Sequence, residues 1–128
     1  MAPVAGLGVD LARIERFRRL LKEHKETVLE RLFTPEEKAY ALKKADPAPF
    51  LAARFAAKEA FLKALGTGLR HGVSWREIEV VKDQAGKPTL ELQGKTAQIF
   101  AERGGGNLHL SLSHDGEYAV ASVVLERD

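Results

Sequence analysis

Phe50-Leu51-Ala52-Ala53-Arg54-Phe55-Ala56-Ala57-Lys58-Glu59-Ala60-Phe61-Leu62-Lys63-Ala64-Leu65-Gly66-Thr67-Gly68 reads as a helix without a polar face. Its first sixteen residues are six alanines, three phenylalanines, three leucines and only four charges, Arg54, Lys58, Glu59 and Lys63. On a wheel of about 3.6 residues per turn the large apolar groups cover one side and the alanines nearly all the rest. Such a helix belongs in the interior, over residues 50–65, with Gly66 placed to end it in the left-handed conformation. Burying charges without partners is costly, so the four must pair, reach water along their own stems, or line a site. Arg54 and Lys58 lie one turn apart among the large apolar side chains, and Glu59 and Lys63 form a second such pair beside the alanines. A plain helix pair contributes only about 0.3–0.5 kcal/mol. Small alanines, however, let another chain or a ligand come close, and Gly66-Thr67-Gly68 offers backbone donors suited to phosphate.

On the N-terminal side, Val4-Ala5-Gly6-Leu7-Gly8-Val9-Asp10 reads as a short strand whose two glycines suggest close approach of a backbone or ligand. Asp10 is then expected to cap an amphipathic helix in which Leu11, Ile14, Phe17 and Leu20 or Leu21 recur at helical spacing. The arginines fall on the opposite side. Residues 13–25 hold six basic residues (Arg13, Arg16, Arg18, Arg19, Lys22, Lys25) against two acids, Glu15 and Glu23. That is either a solvated helix face or a dock for an acidic partner, nucleic acid or protein. If Asp10 also faced Glu59, two carboxylates in a basic setting would suit Mg²⁺.

Between these two stretches, Thr34-Pro35-Glu36-Glu37 starts a helix with a capping box and a first-turn proline, and that helix should end before Asp46-Pro47. On the C-terminal side of the opening stretch the pattern changes. Residues 77–81 alternate, residues 83–88 are turn chemistry and residues 89–92 resume a strand, which predicts a hairpin. A helix over residues 94–102 stops at Gly104-Gly105-Gly106. A strictly alternating strand over 107–113, a turn through His114-Asp115-Gly116-Glu117 and a last strand over 118–125 follow. The expectation is one α+β domain over residues 1–128, an antiparallel sheet packed with helices.

The chain has 128 residues, 45% hydrophobic and 30% charged, an ordinary globular balance. At this length roughly two-thirds of the unfolded surface can be buried, so a site shared between subunits is expected rather than a deep private one. With no cysteine, disulfides, thiolate metal sites and thiol nucleophiles are excluded. Met1-Ala2-Pro3-Val4 runs directly into patterned sequence and no apolar run approaches ~18 residues, so the expected setting is cytoplasmic, with no membrane partner. Ser111, Ser113 and His114 do not form a triad pattern, and four scattered histidines make no zinc site. The alternative class is a small basic protein binding nucleic acid through residues 13–25. It lacks aromatic platforms, since the two tyrosines and one tryptophan are scattered.

Three blocks carry a family resemblance: Gly6-Leu7-Gly8-Val9-Asp10 followed by Arg13 to Phe17, then Arg54 through Gly68, and finally Leu110-Ser111-Leu112-Ser113-His114 through Tyr118-Ala119-Val120-Ala121. In order and separation they resemble the holo-acyl-carrier-protein synthase branch of the 4′-phosphopantetheinyl transferases, and the middle block is the most specific. The resemblance implies that fold, and transfer of 4′-phosphopantetheine from coenzyme A to a serine of apo acyl carrier protein, in fatty acid biosynthesis, with release of 3′,5′-ADP. It implies Asp10 and Glu59 as ligands of Mg²⁺ and Lys63 as a contact to the pyrophosphate. Gly66, Thr67 and Gly68 border that site, and Arg54, Ser113 and His114 are candidates for the nucleotide and its 3′-phosphate. Arg16 looks like the contact to acidic acyl carrier protein, and the short branch resembles homotrimers with coenzyme A between subunits. The serine's base is either Glu59 or a water at the metal; a metal-engaged carboxylate is the weaker base, which favours the water. A catalytically silent subunit of a larger synthase is disfavoured by the intact metal positions.

Overall fold

A computed structural model describes residues 3–128, so Met1 and Ala2 of the expected N-terminal run lie outside the described residues. In chain order the elements are β1 (Val4–Arg13), α1 (Ile14–Lys22), α2 (Glu26–Leu32), α3 (Pro35–Leu42), α4 (Ala48–Leu65), a single 3₁₀ turn (Trp75–Glu77), β2 (Ile78–Lys82), β3 (Pro88–Leu92), α5 (Gly94–Glu102), β4 (Asn107–Asp115) and β5 (Tyr118–Glu126). The strands form two antiparallel sheets rather than one, a three-stranded sheet ordered β1-β5-β4 and the hairpin β2-β3.

Helix α4 is the buried element that its composition demands. Leu51, Ala52, Ala56, Ala57, Ala60 and Phe61 are all at most 1% exposed, and full burial of a leucine or phenylalanine contributes about 1.5–3 kcal/mol. The helix starts at Ala48, two residues before the sequence reading, and Gly66 ends it at φ 84°, its N–H bonded to the Leu62 carbonyl at 2.8 Å. Its alanine flank receives β1. A Cβ on Gly8 would overlap the carbonyl oxygen of Ala60, and one on Gly6 that of Ala64. The glycines therefore let this chain's own strand lie directly on the helix backbone, filling the space that the alanines left open.

The boundary after Asp10 differs from the sequence reading. Asp10 does not cap a helix: β1 continues to Arg13, which pairs with Tyr118, and α1 begins only at Ile14. Leu11, Ile14 and Phe17 fit a helical repeat, but Leu11 also fits an alternating strand, and unbroken pairing with β5 decides for the strand. The inner positions Gly6, Gly8, Asp10 and Ala12 face α4, whereas Leu7, Val9 and Leu11 point outward, 57–67% exposed. Helix α2 is an element that the sequence reading did not single out. Helix α3 has the expected capping box, Thr34 Oγ1 accepting from Glu37 N and Glu37 Oε1 from Thr34 N.

Candidate active site

Strand β1 delivers Asp10 to α4, and α4 answers with Lys63. The Lys63 ammonium donates to Asp10 Oδ1 at 3.0 Å and to the Val9 carbonyl at 3.1 Å. Helical side chains lean toward the N-terminus, which lets Lys63 reach back along the strand. Glu59, one turn earlier, does not pair with Lys63 as the spacing suggested. Its Oε2 instead accepts from the indole N–H of Trp75 at 3.3 Å. Asp10 Oδ2 and Glu59 Oε1 take no hydrogen bond among the described residues.

Beside these groups a cavity of about 490 Å³ is lined by Glu59, Leu62, Lys63, Gly66, Gly68 and Leu69. Gly66 and Gly68, at φ 84° and 60°, present open space where side chains would stand. Thr67 does not line it: the residue is buried and its hydroxyl donates to the Gly68 carbonyl at 2.8 Å. The Gly66 N–H is committed to the helix end. Of the three loop residues, only the two glycines border the cavity.

A second cavity, of about 210 Å³, opens on another face of α4, lined by Tyr40, Phe50, Ala53, Arg54, Lys82, Pro88, Leu112, Ser113 and His114. Arg54, Ser113 and His114 thus line one cavity, as the resemblance grouped them. Arg54 is 4% exposed, its guanidinium lies 4.2 Å from the Tyr40 ring centre, and its Nε is buried without a partner. Burial pulls the guanidinium below its ordinary pKa, with Tyr40 and Glu37 opposing. The Tyr40 phenol is lowered, chiefly by Lys82, with Lys44 and Arg54 adding to the effect. Lys44 stands over the Tyr40 and Phe50 rings and His114 meets Phe50 edge-on at 5.8 Å between centres. Three cations and a buried unpartnered N–H make this a place for an anion. Tyr40 and Lys44 are four residues apart, but Lys82 and the Ser113–His114 pair lie far along the chain from them, so this grouping carried no sequence signal.

The two cavities share no lining residue, and five positions separate Arg54 from Glu59, roughly 140° around the helix. Within one chain they are two separate openings. Between them Lys58 is fully buried and serves neither: its ammonium bonds Glu37 Oε1 at 2.6 Å and the Trp75 carbonyl at 2.9 Å. Glu37 also accepts from Val80 N at 2.8 Å, so this buried pair ties α3, α4 and β2 together.

On α1 the basic residues divide. Arg18 is held by Asp46 at 2.7 Å and Glu15 at 3.1 Å. Arg16 is exposed and lies 5.1 Å over the Phe55 ring, and with Arg19 and Lys22 it makes no ion pair among the described residues.

A family model described as the 4′-phosphopantetheinyl transferase superfamily matches residues 6–123, and the chain belongs to that superfamily. Its curated relatives narrow the branch. A holo-[acyl-carrier-protein] synthase of Syntrophotalea carbinolica is 58% identical over 126 residues, covering 98% of both chains. The one of Trichlorobacter lovleyi is 54% identical over 123 residues, 96% of this chain and 98% of that one. Among solved structures, the Neisseria meningitidis synthase superposes with a TM-score of 0.88 at 37% identity, over 98% of this chain and 100% of that one. The Bacillus anthracis synthase, solved with CoA (3′,5′-ADP), gives 0.78 at 37% identity and 98% coverage of both. Among the described residues no helix is long and apolar enough to cross a membrane.

Proposed function

We propose that the two openings are half-sites that together hold coenzyme A, the pyrophosphate beside Asp10, Glu59 and Lys63 and the nucleotide beside Arg54, Ser113 and His114. The reaction is that of the branch: 4′-phosphopantetheine passes from coenzyme A to a serine of apo acyl carrier protein. The partner's serine Oγ forms the new bond to phosphorus, the bond from that phosphorus to 3′,5′-ADP breaks, and the serine's proton passes to a base, Glu59 or a water. The observation that carries the reading is that Glu59 and Lys63, the latter bonded to Asp10, both line a glycine-bordered cavity.

Asp10 and Glu59 fit a hard divalent cation: each offers an oxygen without a hydrogen bond, the donor set that Mg²⁺ takes beside substrate phosphate. Held there, Mg²⁺ would neutralise charge on the pyrophosphate. Lys63, 58% exposed at its side chain and already drawn to the site by Asp10, supplies a second positive charge for the leaving phosphate. Arg54, with its buried Nε, would meet an anionic group of the nucleotide.

Because one chain separates the half-sites, coenzyme A lies between subunits in this reading, and the homotrimer that the resemblance implies belongs with it. The outward stripe of Leu7, Val9 and Leu11 on β1, continuous across the sheet with Val120, supports a covered face. The exposed Arg16 on α1 receives acidic acyl carrier protein by charge attraction. A cytoplasmic setting belongs to the same reading. Incubated with Mg²⁺ and coenzyme A, the protein should add one phosphopantetheine mass to apo acyl carrier protein, read by intact-mass spectrometry; no shift across several carrier proteins refutes the assignment.

A further inference from the structure

Trp75 touches α4 at three points in succession. Its ring packs against Phe55 at 6.1 Å between centres, its carbonyl accepts from Lys58 at 2.9 Å, and its indole N–H donates to Glu59 Oε2 at 3.3 Å. The middle contact is not a loose one, because Lys58 is fully buried and clamped by Glu37 at 2.6 Å. The 3₁₀ turn that bears Trp75 is also fixed on its far side, where Glu77 accepts from Thr96 N at 3.1 Å and Thr96 Oγ1 at 2.9 Å at the start of α5. A side chain held this firmly can dictate where a carboxylate points.

We infer that Trp75 is a positioning residue for Glu59: its indole N–H occupies one carboxylate oxygen, fixes the rotamer, and leaves the other oxygen turned to the cation site. This rests on the reading of Glu59 as a metal ligand. Carboxylates that bind metals are commonly held by hydrogen bonds from a second layer of residues, and loss of such a partner costs 10–100-fold in metal affinity or activity. A half-buried indole will take any acceptor within reach. What distinguishes positioning is that cation binding is felt at the indole and that loss of the N–H is felt by the cation.

Trp75 is the chain's single tryptophan, so its emission reports on this contact without labelling. In native protein saturated with coenzyme A and lacking acyl carrier protein, titration with Mg²⁺ should change the emission, and the change should be absent in Glu59→Gln. Trp75→Phe keeps an aromatic ring against Phe55 and removes only the donor. It should raise the Mg²⁺ concentration for half-maximal turnover about tenfold, with most of the rate restored at saturating Mg²⁺ and the KM for acyl carrier protein unchanged. Emission indifferent to Mg²⁺ in native protein that turns over, or a folded Trp75→Phe with native Mg²⁺ dependence, overturns the inference. If Trp75→Phe does not fold, the emission titration decides alone. Native protein that transfers nothing would count against the proposed reaction instead.

Discussion

Lys58 and Glu59 are neighbours on one helix, carry opposite charges, and have opposite uses. Lys58 is sealed in the core, where burial pushes its ammonium pKa down and Glu37 pulls it back up. Glu59 is half-buried at the rim of a cavity and spends one oxygen on Trp75. The difference follows from one step around the wheel. About 100° of rotation moves a side chain from the face packed on α3 and β2 to the flank where β1 has been drawn in by its glycines. A charge in the core must be matched within the fold, whereas a charge at the rim can be left for a ligand.

The largest expected effect tests the core member. Lys58→Met removes the ammonium and leaves the Glu37 carboxylate buried, a change that costs about 3–5 kcal/mol when a buried pair loses one partner. Glu37 keeps donors from Thr34 N and Val80 N, so the loss should sit near the lower bound. Urea unfolding measures it. A loss under about 1 kcal/mol would show that the pair is neutral to stability, and the contrast with Glu59 would then lie only in exposure.

The rim member should behave the other way. Glu59→Gln should leave the urea midpoint nearly unchanged and lower turnover by about 10²–10³-fold, the scale for loss of one group that stabilises developing charge. An active Glu59→Gln refutes its role as a ligand. The half-sites give a sharper form of the test. If each complete site takes Glu59 from one subunit and Arg54 from the next, inactive Glu59→Gln and inactive Arg54→Ala, unfolded and refolded together, should recover about a quarter of the sites in a cyclic assembly. No recovery from a mixture shown to exchange subunits would place both halves within one chain.

Much of this arrangement is legible in the order of residues, and the part that is not has a common cause. The burial of α4 follows from its alanines and phenylalanines, its end from Gly66, and the start of α3 from its capping box. What could not be read were contacts across long stretches of chain. Glu37 had a complete local explanation as the capping-box glutamate, which concealed that the same carboxylate bonds Lys58 and Val80. Glu59 and Lys63 had a local explanation as a helix pair, and each found a distant partner instead, Trp75 and Asp10. The end of β1 was misread because Leu11 satisfies both a helical and an alternating pattern; pairing with β5, more than a hundred residues later, settles it. The resemblance implied ligand roles for Asp10 and Glu59, but nothing in the sequence pointed to Tyr40, Lys44 or Lys82.

Those residues provide the smallest and most local test, because they ask whether the Arg54 cavity is electropositive in the free protein. Tyr40 and Tyr118 are the two tyrosines of the chain, so a phenolate absorbance titration can resolve them, with Tyr118→Phe isolating Tyr40. Lys82 is the main cause of the lowered Tyr40 pKa, ahead of Lys44 and Arg54. A cation favours the phenolate, so Tyr40 should ionise below an ordinary tyrosine, and Lys82→Met should move it back upward. Filling the cavity with 3′,5′-ADP should move it upward as well, since added phosphate charge offsets the same cations. A Tyr40 that titrates as an ordinary phenol and ignores the nucleotide would mean that its lysines are turned to solvent. The buried Arg54 would then be the only charge that this half-site offers to an anion.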